Sequence, residues 1–270
     1  MFYSFLLNRK MEQQMEQTNN NNIDFIIQND EILKTDINDE ILNTNVDNTI
    51  EHNISDYLFN DTQEEFIRLI SEVVQIYIES GARSSKKVDK LHGYIKSVID
   101  AYLTERNLQN YTVVLEHNVP SINSSGKKCC DIVVLKDGVP FSVFPVKFIM
   151  TNYNQNKNNS WENLTGEMMH LKWSNPDLRI IPINIIFNLT PYLEANKSIK
   201  KMENIEYANS FKIYETLVEK QITCDNFNFI LDVTHRVSIG EKYIIAPIVN
   251  EFNSYTPFKT MKSLLDNIII

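Results

Sequence analysis

The chain has 270 residues and a formal net charge of −9 at pH 7. Taken as a whole, that charge argues against a nucleic-acid partner, because phosphate contacts require lysine and arginine. The deficit is local, however: residues 1–62 contain three basic and twelve acidic side chains, whereas acidic and basic residues balance over 63–270. The charge therefore does not exclude nucleic acid as a partner of the second part of the chain.

Composition also bears on the cellular setting. No apolar run reaches the roughly 18–20 residues that a membrane-spanning helix requires, so we expect no membrane partner. The apolar start of the chain has its charges, Arg9 and Lys10, after the run rather than before it, which argues against a secretory signal. The cysteines, Cys129, Cys130 and Cys224, are odd in number, which argues against a disulfide framework and favours an intracellular location.

Residues 1–62 are predicted to form a disordered acidic arm, and the folded domain is expected over 63–270. The arm is rich in Asn, Gln and acidic side chains, so it buries too little apolar surface to offset its ordering entropy. The pentapeptide Asn-Asp-Glu-Ile-Leu occurs at 29–33 and again at 38–42. It indicates either an acidic-hydrophobic docking element, as in an interaction protein that works through its arm, or compositional drift.

Helices are predicted where the domain begins. Asp61 or Thr62 caps a first helix that ends at Gly81, because the apolar residues between them recur at helical spacing. A second helix is predicted over about 85–104 on the same grounds.

The hydrophobic period then changes to that of strands. Asp137 and Gly138 are expected to form a hairpin turn. The Asn-rich residues 152–159 are predicted to be a loop, followed by a helix that Asn159 or Ser160 caps and that runs to about Lys172. A later helix is predicted over about 202–221, with a short one at the end. Strands are predicted over 111–117, 127–135, 139–150, 179–188, 227–234 and 243–249. This order predicts an α/β domain with a mixed central sheet flanked by helices.

The strongest chemical signal lies in the predicted hairpin. Asp131 begins an apolar run, and Lys147 lies in the strand that returns after the turn, so the two side chains are expected to face each other across the pair. A carboxylate binds a hard cation such as Mg²⁺ through oxygen, and the cation lowers the pKa of a bound water. A lysine beside that water positions it and adds positive charge. The pattern is typical of metal-dependent phosphodiester hydrolysis.

This stretch resembles the PD-(D/E)XK nuclease superfamily, the restriction-endonuclease-like fold, over roughly residues 86–190. The run from Asn152 to Leu171 looks most like proteins of the type II restriction-enzyme group of that superfamily. The resemblance implies a DNA endonuclease that uses Mg²⁺ or Mn²⁺, with Asp131 as a catalytic, metal-binding acid and Lys147 as the catalytic lysine. It also implies a homodimer, because restriction-like enzymes are often dimers.

The sequence departs from the family pattern at one position. The second acid of the motif is expected two residues before the lysine, where this chain has Pro145, and proline cannot bind a metal. In one interpretation, Glu162 or Glu167 from the following helix, or Glu116 upstream, completes the catalytic metal site. In the other, the domain has lost a ligand and is an inactive relative that binds nucleic acid or protein.

Each of these groups also has a structural interpretation. Asp131 could pair with Lys147 in a structural ion pair, and Glu162 suits the positive end of a helix dipole. Glu116 and Glu167 are compatible with solvated surface positions. Isolated glycines and scattered histidines give no Gly-rich phosphate loop and no zinc pattern, which disfavours nucleotide-driven enzymes and zinc sites.

A basic segment and one amide are candidates for nucleic-acid binding. Arg83, Lys86, Lys87 and Lys90 surround the start of the second predicted helix, where free backbone N–H groups attract phosphate. A solvated basic face is the alternative interpretation. Asn158, in the polar run before the third helix, has an amide able to bond base edges or phosphates.

Overall fold

A computed structural model describes residues 62–81 and 85–268. The predicted arm, apart from Thr62, and Arg83 therefore lie outside the described residues. The helices of the described part are α1 Gln63–Ser80, α2 Lys86–Glu105, α3 Tyr153–Ser174, α4 Tyr207–Glu219 and α5 Met261–Ile268. The strands are β1 Tyr111–Pro120, β2 Lys127–Lys136, β3 Val139–Phe144, β4 Val146–Ile149, β5 Arg179–Ile180, β6 Ile183–Phe187, β7 Leu189–Leu193, β8 Ile199–Asn204, β9 Phe227–Thr234 and β10 Ile248–Phe252.

The strands form a mixed sheet that is broken in its middle. On one side of the break, β1, β2 and β3 are antiparallel neighbours, and β5 runs parallel to β3. On the other side, β4, β6 and β9 are parallel neighbours, and β10 lies antiparallel to β9. Because β3 leads into β4 and β5 leads into β6, the two groups of strands are continuous with each other. A separate antiparallel hairpin consists of β7 and β8.

The break falls at two prolines. Pro145 lies between β3 and β4, and Pro182 lies between β5 and β6, and neither has a backbone N–H to donate. The amides beside Pro182 nevertheless bridge the gap: Ile181 N–H donates to Val143 O at 2.9 Å, and Ile183 N–H donates to Pro145 O at 2.8 Å. Pairing between these two broken strands therefore continues through the break, whereas pairing with β2 ends before it.

Helices cover both faces of the sheet, which confirms the predicted α/β class. One core lies between the sheet and α1, α2 and α5, and a second core lies between the sheet and α3 and α4. Phe144 and Val146 belong to the first core and Val143 to the second. Successive strand residues point to opposite faces, so this alternation fixes the face that each polar strand residue occupies.

Several predicted elements are confirmed. The first two helices, the hairpin strands, β9 and a short final helix lie where the sequence predicts them. At the hairpin turn, Asp137 and Gly138 have φ angles of 51° and 78°. Positive φ at both central residues is what a type I′ turn requires.

Other predictions are wrong. The segment 152–159 is not a loop, because α3 begins at Tyr153 and includes the asparagine run. The strands predicted over 139–150 and 179–188 are each interrupted by a proline. The segment predicted as one helix over 202–221 begins in β8, and the last strand begins at Ile248 rather than near residue 243.

Contacts with the β7–β8 hairpin, rather than helix propensity, start α3 at Tyr153. Asparagine is a poor helix former, but the Asn152 side chain exchanges two hydrogen bonds with Leu193. Leu193 N–H donates to Asn152 Oδ1 at 2.9 Å, and Asn152 Nδ2 donates to Leu193 O at 3.3 Å. Glu203 of β8 accepts a hydrogen bond from Asn154 N–H at 3.1 Å. The hairpin thus caps a helix whose own first residues do not cap it.

Glu203 is a buried carboxylate, 4% exposed. Burial opposes its ionisation, but the hydrogen bonds from Asn154 and Lys201 outweigh this and hold the pKa of Glu203 below its ordinary value. Lys201 Nζ lies 3.0 Å from Glu203 Oε1. The charged carboxylate at the positive end of the α3 dipole is therefore the stabilised form.

We expect Glu203→Gln to lower the free energy of unfolding by about 1–3 kcal/mol at pH 7. A carboxyl group whose pKa is lowered by folding stabilises fully above its unfolded pKa and loses this contribution as pH falls through the folded pKa. The difference between wild type and variant should therefore be full above about pH 5 and should shrink below about pH 4, as measured by urea unfolding. Glu219→Gln, at an exposed glutamate ending α4, is the matched control. A loss that does not change with pH would contradict the prediction.

Candidate functional site

A polar pocket lies at the break in the sheet. It encloses about 110 Å³, which is room for several water molecules. Its walls come from β2, from the broken strand β3–β4 and from α3: Lys128, Cys129, Cys130, Asp131, Pro145, Lys147, Glu167, Met168 and Leu171. Asp131 and Lys147, which the sequence predicted as a pair, thus share one pocket with Glu167, which it offered as an alternative second acid.

Asp131 takes over a backbone hydrogen bond at the break. β2 pairs Ile132 with Phe144, and continuing this register places Asp131 level with Pro145. Past the proline, Val146 N–H donates to Asp131 Oδ2 at 2.8 Å. One carboxylate oxygen therefore ties β2 to the start of β4, while Oδ1 makes no hydrogen bond within the described part of the chain.

Lys147 reaches the pocket from β4. Val146 and Phe148 contribute to the core against α1 and α2, so Lys147 faces α3 by alternation. β4 pairs with β6 rather than with β2, and Lys147 therefore does not face Asp131 across a hairpin pair as the sequence predicted. The two are diagonal neighbours across the break. Among residues 62–81 and 85–268 they form no ion pair, so the structural pair considered from the sequence is not seen there.

A lysine holds Glu167 in the pocket. Lys128 Nζ lies 2.6 Å from Glu167 Oε1, and the two side chains are 34% and 29% exposed. Burial disfavours the charge on Lys128, but the hydrogen bond and charge of Glu167 outweigh it and raise the pKa of Lys128. Glu167 is therefore fixed over β2 and is not a freely solvated acid of the α3 surface.

Glu116 and His92 lie in the electrostatic surroundings of Asp131. The register of β1 with β2 places Glu116 level with Asp131, and its φ of 48° is rare for a non-glycine residue inside a strand. His92 of α2 is 5% exposed. Burial lowers the pKa of His92, the charges of Asp131 and Glu116 oppose that shift, and Lys147 reinforces it. His92 is therefore close enough to respond to the charges of Asp131, Glu116 and Lys147.

The buried cysteine of the pocket is held as a thiol. Cys129, Cys130 and Cys224 are all free. Burial raises the pKa of Cys130 to about 12, and the charge of Asp131 adds to the shift. A protonated thiol is a poor nucleophile and a poor metal ligand, so Cys130 is unsuited to bind a metal, whereas Asp131 beside it offers carboxylate oxygens.

Glu162 and Asn158 line a different pocket. It is a groove of about 700 Å³ between α3 and α4, to which Trp161 and Lys212 also contribute. Glu162 and Glu167 are five residues apart on one helix, so their side chains project about 140° apart. The structure thus brings Glu167 to Asp131 and places Glu162 elsewhere.

The basic segment at the start of α2 is described in part. Lys90 Nζ forms an ion pair with Glu72 of α1 at 2.6 Å. Lys87 Nζ lies 5.8 Å from the centre of an aromatic ring of α1, and burial lowers the pKa of Lys87. Lys86 is exposed in the first turn, and Arg83 is outside the described residues. Lys87 and Lys90 are therefore an ordered basic edge that contacts α1.

The two carboxylates of the pocket suit a hard cation whose remaining ligands are waters and substrate phosphates. No three His, Cys, Asp or Glu side chains converge as a ready-made metal site in the part of the chain that the structure describes. Mg²⁺, however, is usually held by only one or two carboxylates, together with waters and substrate phosphates. Asp131, with one oxygen uncommitted, and Glu167 on the α3 side of the same pocket match that pattern.

Two polar residues, one lining the pocket and one beside it, were not predicted from the sequence. Asn184, level with Lys147 on β6, is 2% exposed. Its signal was available, because it is a single amide inside the otherwise apolar strand Ile183–Phe187. Lys128 carried no such signal, since its partner Glu167 comes from a helix 39 residues further on.

The chain matches no protein-family model, and no curated protein or solved structure is significantly similar to it. Its relationship to the nuclease superfamily therefore stays a prediction.

Because Asp131 accepts the Val146 N–H, we expect Asp131→Ala to leave that amide unpaired. The free energy of unfolding should fall by about 1–3 kcal/mol. Asp131→Asn keeps an oxygen acceptor and should lose markedly less, as measured by urea unfolding. Hydrogen exchange of the Val146 amide should accelerate in D131A and much less in D131N. Equal stability of wild type and D131A would show that this hydrogen bond does not contribute to the free energy of unfolding.

Proposed function

We propose that this domain is a Mg²⁺-dependent endonuclease of the PD-(D/E)XK type that hydrolyses phosphodiester bonds in DNA. One observation carries the proposal: Asp131, Lys147 and Glu167 line a single polar pocket at the break in the sheet. Two carboxylates and a lysine around a cavity that admits water are the protein groups that metal-assisted phosphodiester hydrolysis uses.

The carboxylates have distinct roles in this proposal. Bound Mg²⁺ supplies the acidity that activates a water and the charge that neutralises the phosphate. Asp131 offers Oδ1 to the cation while its Oδ2 keeps the Val146 amide, and this second bond fixes the orientation of the ligand. Glu167 is the second acid, and its pairing with Lys128 reduces the repulsion between the two carboxylates.

Lys147 contributes positive charge beside the attacked phosphate and orients the water. Pro145 occupies the place of the second motif acid, so β4 itself supplies no negative charge next to Lys147. In this proposal α3 supplies that charge through Glu167. The departure from the family pattern is then a relocation of one carboxylate.

The partners follow from the same proposal. In this proposal Lys86, Lys87 and Lys90, at the start of α2, contact the DNA backbone, because the same helix carries His92, which responds to the charge of Asp131. No helix in the described ranges has the length and apolar character of a bilayer span. An intracellular location and a homodimer stay predictions.

A second candidate function is a module that binds nucleic acid or protein without cutting. It is favoured by the structural partners that both carboxylates already have, Val146 N–H for Asp131 and Lys128 for Glu167. If these contacts are the whole purpose of the two acids, the pocket needs no metal.

Incubation of the protein with supercoiled plasmid DNA and Mg²⁺ or Mn²⁺ should produce nicked and linear products. We expect Asp131→Asn and Lys147→Ala each to reduce the cleavage rate at least about 100-fold, with circular dichroism unchanged. Glu167→Gln should cause a comparable loss, whereas Glu162→Gln should have little effect because Glu162 lines the other pocket. Glu219→Gln is the surface control.

The outcomes separate the two candidate functions. Folded wild-type protein that binds DNA but does not cut it with either metal supports the binding module. Cleavage that survives both D131N and K147A would place the active site elsewhere. Loss in E162Q with full activity in E167Q would mean that the other pocket supplies the second acid.

A further inference from the structure

A row of amides continues from Lys147 across the sheet. The parallel registers place Lys147 level with Asn184 on β6, and Asn184 level with Asn228 on β9. Ile183 and Ile185, which flank Asn184, belong to the core against α1 and α2, so Asn184 faces α3 and α4. The three polar side chains therefore occupy one face of the sheet, beginning at the pocket.

The amides in this row hydrogen-bond in one direction. Asn184 Nδ2 donates to Asn228 Oδ1 at 2.7 Å. Asn228 Nδ2 donates in turn to Asn226 Oδ1. Asn226 Nδ2 then donates to the backbone carbonyl of Tyr214 in α4 at 3.4 Å.

The polarity of this row is set at its α4 end. A backbone carbonyl can only accept, so Asn226 must turn its nitrogen towards Tyr214 and its oxygen towards Asn228. That choice orients Asn228, and Asn228 orients Asn184. None of the three amides can rotate by 180° without breaking the row.

This direction of hydrogen bonding leaves one acceptor, the Asn184 side-chain oxygen, without a donor. Nδ2 of Asn184 is committed to Asn228 on the β9 side, and Oδ1 is buried without a hydrogen-bond partner among the described residues. A buried acceptor without a donor is unfavourable. The neighbouring side chain in the register is Lys147, whose ammonium group has three donors and no acceptor.

We propose that Asn184 is a positioning residue for Lys147, with Asn184 Oδ1 accepting a hydrogen bond from Lys147 Nζ. Rotation about the lysine side-chain bonds forms this contact, and the amide row keeps Asn184 from flipping. The bond draws the ammonium to the β6 side of the pocket and away from Asp131, which leaves Asp131 Oδ1 for a cation. The purpose of this positioning rests on the proposed nuclease function, whereas the hydrogen bond itself does not.

The bond can be tested in the full-length protein without nucleic acid. Urea unfolding of N184L, K147M and the double variant forms a double-mutant cycle. We expect the double variant to shift the urea midpoint by clearly less than the sum of the two single shifts. N188L is the matched control: Asn188 Oδ1 accepts the Val233 N–H at 3.1 Å, away from the lysine, so N188L and K147M should be additive.

Additive effects of N184L and K147M would overturn the proposal, whether or not the protein cuts DNA. If N184L does not fold, N184D takes its place, because a carboxylate preserves an acceptor at the same position. N184D should then destabilise the protein less in the presence of Lys147 than in the K147M background. Equal destabilisation in both backgrounds overturns the proposal as well.

The cleavage assay tests the consequence for catalysis. N184L should reduce kcat about 10-fold, the equivalent of one ordinary hydrogen bond, with little change in KM, and N184D should retain more activity than N184L. Wild-type protein that does not cut DNA refutes the proposed function. The double-mutant cycle then still tests whether Lys147 and Asn184 form the hydrogen bond. Active protein in which N184L leaves kcat unchanged overturns the positioning role.

Discussion

A β-ladder needs a backbone donor at regular intervals, and Pro145 cannot provide one. Towards β5 and β6, the amides of Ile181 and Ile183 bridge the gap, so the sheet holds together. Towards β2 the ladder stops, and the Asp131 carboxylate accepts the Val146 N–H in its place. The space between β2 and β4 that results is the polar pocket. The site thus lies where β2 stops pairing with the broken strand, and the residue that accepts the Val146 N–H there is also the proposed metal ligand.

The other wall of the pocket depends on a distant hairpin. β7 and β8 fix the start of α3 through Asn152 and Glu203, and α3 in turn carries Glu167 to Lys128 of β2. An asparagine-rich segment would not hold this position by helix propensity alone. The charge balance of the pocket is therefore linked to contacts at the far end of a helix.

The parts of the structure that local patterns govern could be predicted from the sequence. Helical periodicity gave α1 and α2, the Asp137–Gly138 turn gave the β2–β3 hairpin, and an acid and a lysine in that hairpin pointed to Asp131 and Lys147. The parts that failed depend on contacts far apart in sequence. The Glu203 cap of α3 is 49 residues from its partner. The pairing of β4 with β6 depends on how two broken strands align, which no local period encodes.

The left-handed backbone of Glu116 has a consequence for the geometry of the β1–β2 ribbon. Val113 and Val119 are six residues apart and would point to the same face of a regular strand, yet they belong to opposite cores. The ribbon therefore rotates by half a turn between them. The positive φ of Glu116 that accompanies this rotation costs about 1–3 kcal/mol in a residue that has a Cβ. Beyond it, the end of β2 that carries Lys128 is swung onto the α3 side, within reach of Glu167. The backbone conformation of Glu116 thereby influences which lysine of β2 meets Glu167.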